Sequence, residues 1–285
     1  MTPESSFIEA NGLRCHLLRW RDRGDRGPIL LNHPTGFLAA LWQPIAERLA
    51  AASYDVIAYD ARGHGDSDKP EPTDENYTWQ RFVDDLEAVM ATLGLRNVPF
   101  VGHSMGGGVG LHLAGTKPGL LSRLVVIEPI VMPGGFVPDE TRRNDMASAA
   151  RRRRTTFASR EEMIDQYKDR AVFQHWQPEL LRLYADAGTF DTENGGIQLK
   201  CSGEIEGTVF SHSSSLNIWD ALPNISIPVL VMAGQRTDGF LAMAAEAVSQ
   251  RVQDGRFLKV PDSGHLAPLE QPDAVADEIL AFLNG

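Results

Sequence analysis

The chain has 285 residues, of which 42% are hydrophobic and 23% charged, a composition typical of a folded globular protein with a large core. The formal net charge of −11 argues against nucleic acid and anionic membranes as partners. The two cysteines, Cys15 and Cys201, lie far apart without metal-ligand spacing, and no secretory signal or apolar stretch of the ~20 residues that span a bilayer is visible. We therefore expect a cytoplasmic protein.

The predicted elements alternate between strands and helices along most of the chain. A β-hairpin is predicted over residues 7–10 and 13–19, because two short runs flank the turn dipeptide Asn11-Gly12. Apolar runs predict further strands at 28–32, 55–59, 99–101, 123–127, 228–232 and 257–260. Helices are predicted at 41–51, 79–93, 105–114, 241–251 and 272–283.

This alternation is typical of an α/β fold, with a mostly parallel sheet covered by helices on both faces. Residues 133–222 interrupt it, because they are polar, rich in arginine and aromatic residues, and show helical patches without a strand run. We predict a core domain formed by residues 1–132 and 223–285. The inserted segment at 133–222 is predicted as a helical cap over the carboxyl edge of the sheet, where such folds bind ligands.

The segment Gly102-His103-Ser104-Met105-Gly106 lies between a predicted buried strand and a predicted helix. A nucleophilic serine in this position stands on a sharp turn, which fits only when the flanking residues are small. The turn exposes the hydroxyl, and the helix amino terminus with the Met105 amide can stabilise an oxyanion. A dinucleotide-binding interpretation fails because Leu111 stands where the third glycine would fall. We therefore predict Ser104 as a nucleophile.

A serine hydroxyl needs an adjacent base, and His265 is the candidate because it lies between the last predicted strand and the last helix. The imidazole in turn needs a carboxylate that holds its tautomer. Two carboxylates compete: Asp238 follows the strand at 228–232, and Glu128 ends the strand at 123–127. Both loops open toward the same edge of the sheet, so both carboxylates are candidates; we favour Asp238 and keep Glu128 as the alternative acid. No histidine spacing indicates a metal site.

Three motifs together resemble those of the α/β-hydrolase superfamily over nearly the whole chain apart from the cap. They are Gly102-His103-Ser104-Met105-Gly106, the segment from Asp60 to Ser67 with Arg62-Gly63-His64-Gly65 inside it, and Gly264-His265. The resemblance implies a sheet of eight strands, a cap and no cofactor. Most members place the triad acid at the position matching Asp238, and some, including certain dehalogenases and lactonases, at the one matching Glu128. Members that cleave epoxides or carbon–halogen bonds carry an aspartate nucleophile, so Ser104 argues against both reactions.

The loop after the first buried strand departs from the usual His-Gly-x-Gly pattern of the superfamily. It reads His33-Pro34-Thr35-Gly36, and a proline has no N–H to donate. By position, we expect Thr35 to supply the second oxyanion-hole amide beside that of Met105.

The predicted function is hydrolysis of an ester or lactone bond in a small, apolar molecule through an acyl-enzyme intermediate. The predicted substrate-binding residues are His33, Gly36, Phe136, Trp176, Phe190 and Phe210. Each of the cap aromatics among them has packing inside the cap as its alternative role. The run from Arg151 to Arg154 is interpreted as a solvated helix face. Three alternative functions stay open: hydrolysis of a C–C bond, perhydrolysis, and ligand binding by a receptor with a slow triad. A homodimer also stays open.

Overall fold

A computed structural model describes residues 1–134 and 140–285, apart from the side chains of Glu140 and Arg142. Its strands are β1 Glu4–Ala10, β2 Leu13–Arg21, β3 Pro28–Asn32, β4 Asp55–Tyr59, β5 Val98–His103, β6 Leu121–Ile127, β7 Thr156–Phe157, β8 Thr189–Asp191, β9 Ile197–Leu199, β10 Val229–Gly234 and β11 Gly255–Val260. Its α-helices are α1 Gln43–Ala51, α2 Trp79–Thr92, α3 Met105–Thr116, α4 Glu140–Arg152, α5 Arg160–Tyr167, α6 Pro178–Ala187, α7 Gly203–Ser211, α8 Gly239–Arg251, α9 Ala267–Glu270 and α10 Pro272–Asn284. Short 3₁₀ helices lie at Ala39–Trp42 and Leu222–Asn224.

Eight strands form the main sheet in the order β1-β2-β4-β3-β5-β6-β10-β11. The amino-terminal hairpin is antiparallel and pairs antiparallel with β4, whereas all other neighbours are parallel. The hairpin turns at Asn11 and Gly12, which both have positive φ, as a type I′ hairpin turn requires. This sheet confirms the predicted fold class, an α/β fold with a mostly parallel eight-stranded sheet.

The central strands are buried on both faces, because helices cover each side of the sheet. Alternate residues of one strand enter different hydrophobic clusters: Ile29 and Leu31 pack on one side, and Leu30 on the other. The first cluster includes residues of α1 and α10, and the second includes residues of α2, α3 and α8. Continuous burial on both faces explains why these strands appear in the sequence as unbroken apolar runs.

The register of the parallel strands brings their carboxyl ends to one edge of the sheet. Asn32 pairs with both Tyr59 and Gly102, and Ile127 pairs with both His103 and Met232. The loops that follow β3, β4, β5, β6, β10 and β11 therefore leave from the same edge, and the candidate functional residues lie on these loops.

The segment between β6 and β10 contains helices and a small second sheet. Helices α4 to α7 lie here, and three short strands pair antiparallel in the order β7-β9-β8. The sequence analysis did not expect strands in this segment. They are two or three residues long, too short for a period of two to be recognised. Within the described ranges, no helix is both long and apolar enough to cross a membrane.

A buried ion pair connects the loop after β4 to helix α2. Arg62 donates from Nε and Nη2 to the two carboxylate oxygens of Asp85, each at 2.6 Å. Nη1 of Arg62 donates to the carbonyl of Asn76 at 2.6 Å, and Asn11 donates to Asp85 at 2.7 Å. The two charged side chains are only 5% and 2% exposed, so each depends on the other for compensation of its charge.

We expect Asp85→Asn to lower the free energy of unfolding by about 3–5 kcal/mol, because it leaves the Arg62 guanidinium buried without a counter-charge. Urea unfolding followed by circular dichroism measures this change. Glu87→Gln on the same helix is the matched control, since Glu87 pairs with Lys117 where both side chains are at least 40% exposed. It should cost about 0–1 kcal/mol. Equal effects of the two substitutions would contradict the importance of the buried pair.

Candidate active site

Ser104 lies between β5 and α3 in a backbone conformation that few residues adopt, with φ 53° and ψ −111°. The turn fits because the residues two positions before and after Ser104, Gly102 and Gly106, have no side chains. A Cβ on Gly102 would lie 2.4 Å from the carbonyl oxygen of Gly106, and a Cβ on Gly106 would lie 2.5 Å from that of Asn32. The two glycines of the motif are therefore required sterically, and Ser104 remains 8% exposed at the strand edge.

His265 lies on the loop between β11 and α9, with its side chain 33% exposed. Its Nε2 is 3.2 Å from the Ser104 hydroxyl oxygen, as the sequence analysis expects for a nucleophile and its base. The loop is held by Glu270, which accepts a hydrogen bond from the Gly264 amide at 2.9 Å. It also packs closely on β10, since a Cβ on Gly234 would lie 2.3 Å from the Gly264 carbonyl oxygen.

The carboxylate nearest to the other side of the imidazole belongs to Glu128, directly after β6. Its Oε2 is 3.4 Å from Nδ1 of His265. Its Oε1 accepts hydrogen bonds from the Gly234 amide at 2.6 Å and from the Thr237 hydroxyl at 2.5 Å. Because Glu128 is 1% exposed, these donors replace the water that a carboxylate needs.

The structure differs from the preference for Asp238, because among the described residues it is Glu128 and not Asp238 that makes a hydrogen bond to the imidazole. The residue is exposed at the amino-terminal end of α8, and its side chain makes no capping hydrogen bond. The preceding residue, Thr237, takes the position facing the site, and it does so as a donor to Glu128. The longer side chain of a glutamate allows the strand end at residue 128 to bridge to His265, which the spacing in the sequence did not reveal.

The predicted oxyanion-hole residues, Thr35 and Met105, lie against each other. The Thr35 hydroxyl is 3.4 Å from the Met105 sulfur, and both residues are buried. Among the described residues, their backbone amides donate no hydrogen bond within the protein. Two N–H groups without an internal partner near a nucleophilic turn are what an oxyanion site needs.

His33, predicted to bind substrate, is buried beside the loop after β4. It is 1% exposed, and backbone groups engage both ring nitrogens: Nδ1 donates to the Pro34 carbonyl at 2.8 Å, and Nε2 accepts from the Ala61 amide at 3.0 Å. Gly36 has φ 83° and lies against α7, where a Cβ would be 2.3 Å from a carboxylate oxygen of Glu206.

The aromatic residues predicted to bind substrate have different locations. Trp176 is buried in an aromatic cluster, with its ring centroid 5.3 Å from that of Phe37 on the loop after β3, so it packs between the inserted segment and that loop. Phe190 is 45% exposed and lines a surface groove beside Lys69, and Phe210 is half-buried on α7. Phe136 lies outside the described residues.

His103 was not predicted as a site residue, yet it connects the turn at Ser104 to the loop of His265. It is buried, and its Nε2 donates to the His265 carbonyl oxygen at 2.8 Å. Burial, which disfavours the charged imidazolium, lowers its pKa to about 3, and the nearby His265 adds to this effect. His103 is therefore neutral near pH 7, and its place inside the serine motif was the available signal.

The four-arginine run is not a uniformly solvated face. Arg153 is largely buried and pairs with Glu206, Nε to Oε2 2.8 Å, while its Nη2 donates to the Cys201 carbonyl at 2.9 Å. Burial raises the pKa of the Glu206 carboxyl, and Arg153 partly offsets this shift. The charge run in the sequence concealed one arginine that belongs to the interior.

One cluster, formed by His16, Asp60 and Asp66, has the ligand types and proximity that a metal ion needs. Its groups are already paired: Nδ1 of His16 is 2.7 Å from Asp60, and Asp66 forms an ion pair with Lys200 at 2.7 Å. The Asp60 carboxylate also accepts hydrogen bonds from the amides of Ala39 and Asp66. These contacts identify the cluster as a brace for the loop after β4.

Comparisons with known proteins agree with this fold. A family model described as the alpha/beta hydrolase family matches residues 29–278. The chain is 28% identical over 234 residues to a putative 2-succinyl-6-hydroxy-2,4-cyclohexadiene-1-carboxylate synthase of Bacillus subtilis. The aligned region covers 80% of this chain and 81% of that protein. It is 25% identical over 268 residues to a 2-(acetamidomethylene)succinate hydrolase of Mesorhizobium japonicum, covering 94% and 91%.

Solved structures show the same fold at lower sequence identity. A crystal structure of E-2-(acetamidomethylene)succinate hydrolase superposes with a TM-score of 0.84 at 22% identity, covering 99% of this chain and 100% of the other. An enol-lactonase of Burkholderia xenovorans superposes with a TM-score of 0.76 at 23% identity, covering 98% and 100%. Because the family model spans most of the chain, the protein belongs to the alpha/beta hydrolase family.

Proposed function

We propose that the protein is a serine hydrolase that cleaves an ester or lactone bond of a small organic molecule through an acyl-enzyme intermediate. The observation that carries the proposal is the continuous chain of polar contacts from the Ser104 hydroxyl through both imidazole nitrogens of His265 to Glu128. The hydroxyl oxygen is 3.2 Å from Nε2, and the carboxylate oxygen is 3.4 Å from Nδ1. The names of the enol-lactonase and the succinate hydrolase support a small-molecule substrate.

In the proposed cycle, Nε2 of His265 accepts the Ser104 proton while the hydroxyl oxygen attacks the carbonyl carbon. The amides of Thr35 and Met105 donate hydrogen bonds to the oxyanion that forms. His265 then gives its proton to the leaving oxygen, and the acyl-enzyme remains. Water attacks the acyl-enzyme with His265 again as the base, which releases the acid and restores Ser104.

The role that we propose for Glu128 is to hold the imidazole in the tautomer that keeps Nε2 free to accept a proton. A carboxylate at Nδ1 requires the ring proton on that nitrogen and stabilises the imidazolium when it forms. Its other oxygen is fixed by Gly234 and Thr237, so the carboxylate has little freedom to turn away from the ring. An amide in its place could present either an oxygen or an NH₂ group to the ring. An NH₂ group at Nδ1 would favour the tautomer in which Nε2 carries the proton, and this tautomer cannot accept the proton of Ser104.

We expect Ser104→Ala to reduce turnover of short-chain nitrophenyl esters to the background rate and Glu128→Gln to lower kcat on the order of 10⁴-fold. Asp238→Asn is the matched control, because this carboxylate is exposed at the start of α8 and has no part in the proposed cycle. This substitution should change kcat by less than about twofold. Steady-state kinetics on the folded variants measures all three. A larger loss in Asp238→Asn than in Glu128→Gln would reverse the assignment of the acid.

We expect a fluorophosphonate reagent to inactivate the enzyme with one covalent label, because attack by the Ser104 oxygen on phosphorus expels fluoride and passes the hydroxyl proton to His265. Peptide mass spectrometry should locate the label on the peptide that carries Ser104, and Ser104→Ala should remain unlabelled under the same conditions. Ser263, which is fully buried, provides an internal control within the same loop as the base. A stoichiometric label on any other serine would contradict the assignment of Ser104 as the nucleophile.

A further inference from the structure

Two buried histidines join the loop that carries Thr35 to the loop after β4. His33 lies on the loop of Thr35, and its Nε2 accepts a hydrogen bond from the Ala61 amide on the loop after β4. His64 lies on the loop after β4, and its Nε2 accepts a hydrogen bond from the Gly36 amide on the loop of Thr35. Both bonds are 3.0 Å long, and the two rings lie 5.1 Å apart. Each loop thus supplies the acceptor for the other.

The partners of these rings fix their tautomers. In each ring, Nδ1 lies 2.8 Å from a backbone carbonyl oxygen, that of Pro34 for His33 and that of Arg62 for His64. A carbonyl only accepts, so Nδ1 carries the proton and Nε2 presents a lone pair to the amide. Burial lowers the pKa of both histidines, that of His64 to about 3, so both rings are neutral near pH 7.

These contacts hold the two peptide groups on either side of Thr35. The Pro34 carbonyl, which accepts from His33, belongs to the same planar peptide group as the Thr35 N–H. No peptide bond in the described residues is cis, so this N–H points opposite to the Pro34 carbonyl. The next peptide group contains the Gly36 N–H, which donates to His64. The direction of the Thr35 amide therefore depends on both histidines.

We propose that His33 and His64 are positioning residues that aim the Thr35 N–H at the oxyanion of the substrate. The inference rests on the proposed function, which supplies the oxyanion. The cap supports the same loop from the other side, since the Tyr184 hydroxyl donates to the Gly36 carbonyl at 3.3 Å and Glu206 lies against the Gly36 Cα. A donor fixed in advance stabilises developing charge without reorganisation during the reaction.

Asparagine and glutamine separate the roles of the two ring nitrogens, because their terminal polar atoms reach the positions of Nδ1 and Nε2, respectively. At residue 64 the bond to Gly36 uses Nε2, so His64→Gln keeps an acceptor there and His64→Asn loses it. At residue 33 the bond to Pro34 uses Nδ1, so His33→Asn keeps a donor there and His33→Gln loses it. The proposal predicts opposite orders of activity at the two positions.

We expect His64→Asn to lower kcat for a nitrophenyl ester by about tenfold to a hundredfold, less than the ~10²–10³-fold cost of removing an oxyanion donor, with KM changed by less than about twofold. The kcat of His64→Gln should recover most of this loss. At residue 33, the kcat of His33→Asn should be higher than that of His33→Gln. The affinity for a trifluoromethyl ketone, whose adduct with Ser104 carries an oxyanion, should fall in proportion to kcat/KM. The half-buried His112 of α3 gives the matched control pair, His112→Asn and His112→Gln, which should not differ in activity.

Equal activities of the asparagine and glutamine variants at both positions would overturn the proposal, as would losses confined to KM. Thermal unfolding of each variant identifies any that does not fold, and the pair at the other position then decides. The proposed function fails separately: if Ser104→Ala retains turnover, the nucleophile is wrong. If Ser104→Ala is inactive while all His33 and His64 variants resemble the wild type, only the positioning role is wrong.

Discussion

The turn at Ser104 exists because three backbone segments touch there without side chains between them. Gly102 and Gly106 have no room for a Cβ, and the helix that begins at Met105 therefore starts directly against β3 and β5. This close approach brings Met105 against the Thr35 loop, where its sulfur contacts the Thr35 hydroxyl. The contacts that His265 and the loop after β3 make in the site depend on the position of this turn.

The parallel register explains why the acid could be drawn from either of two strands. β6 and β10 are neighbours, and both end at the edge where His265 lies. In the structure the Glu128 carboxylate contacts His265 and is enclosed by donors from β10 and from Thr237, whereas Asp238 is exposed at the start of α8. The loop after β10 thus contributes to the site through donors to Glu128.

The core of the fold could be predicted from the sequence because its central strands are buried on both faces and helices such as α1, α2 and α10 have one buried apolar face. The contact between Ser104 and His265 followed from chain order and motif spacing. The small sheet of the inserted segment could not be predicted, since its strands have no room to show a period. The roles of His33 and Arg153 depend on partners distant in the sequence, Ala61 and Glu206, which no local pattern identifies.

The hydrogen bond from Tyr184 to the Gly36 carbonyl has a mechanical consequence. Tyr184 lies on α6 of the inserted segment, within the aromatic cluster that contains Trp176, while Gly36 lies one residue beyond Thr35. In the proposed mechanism this loop carries the Thr35 amide that donates to the oxyanion. A displacement of α6 would act on the loop through this hydrogen bond, so we expect the position of the inserted segment to affect the direction of that amide.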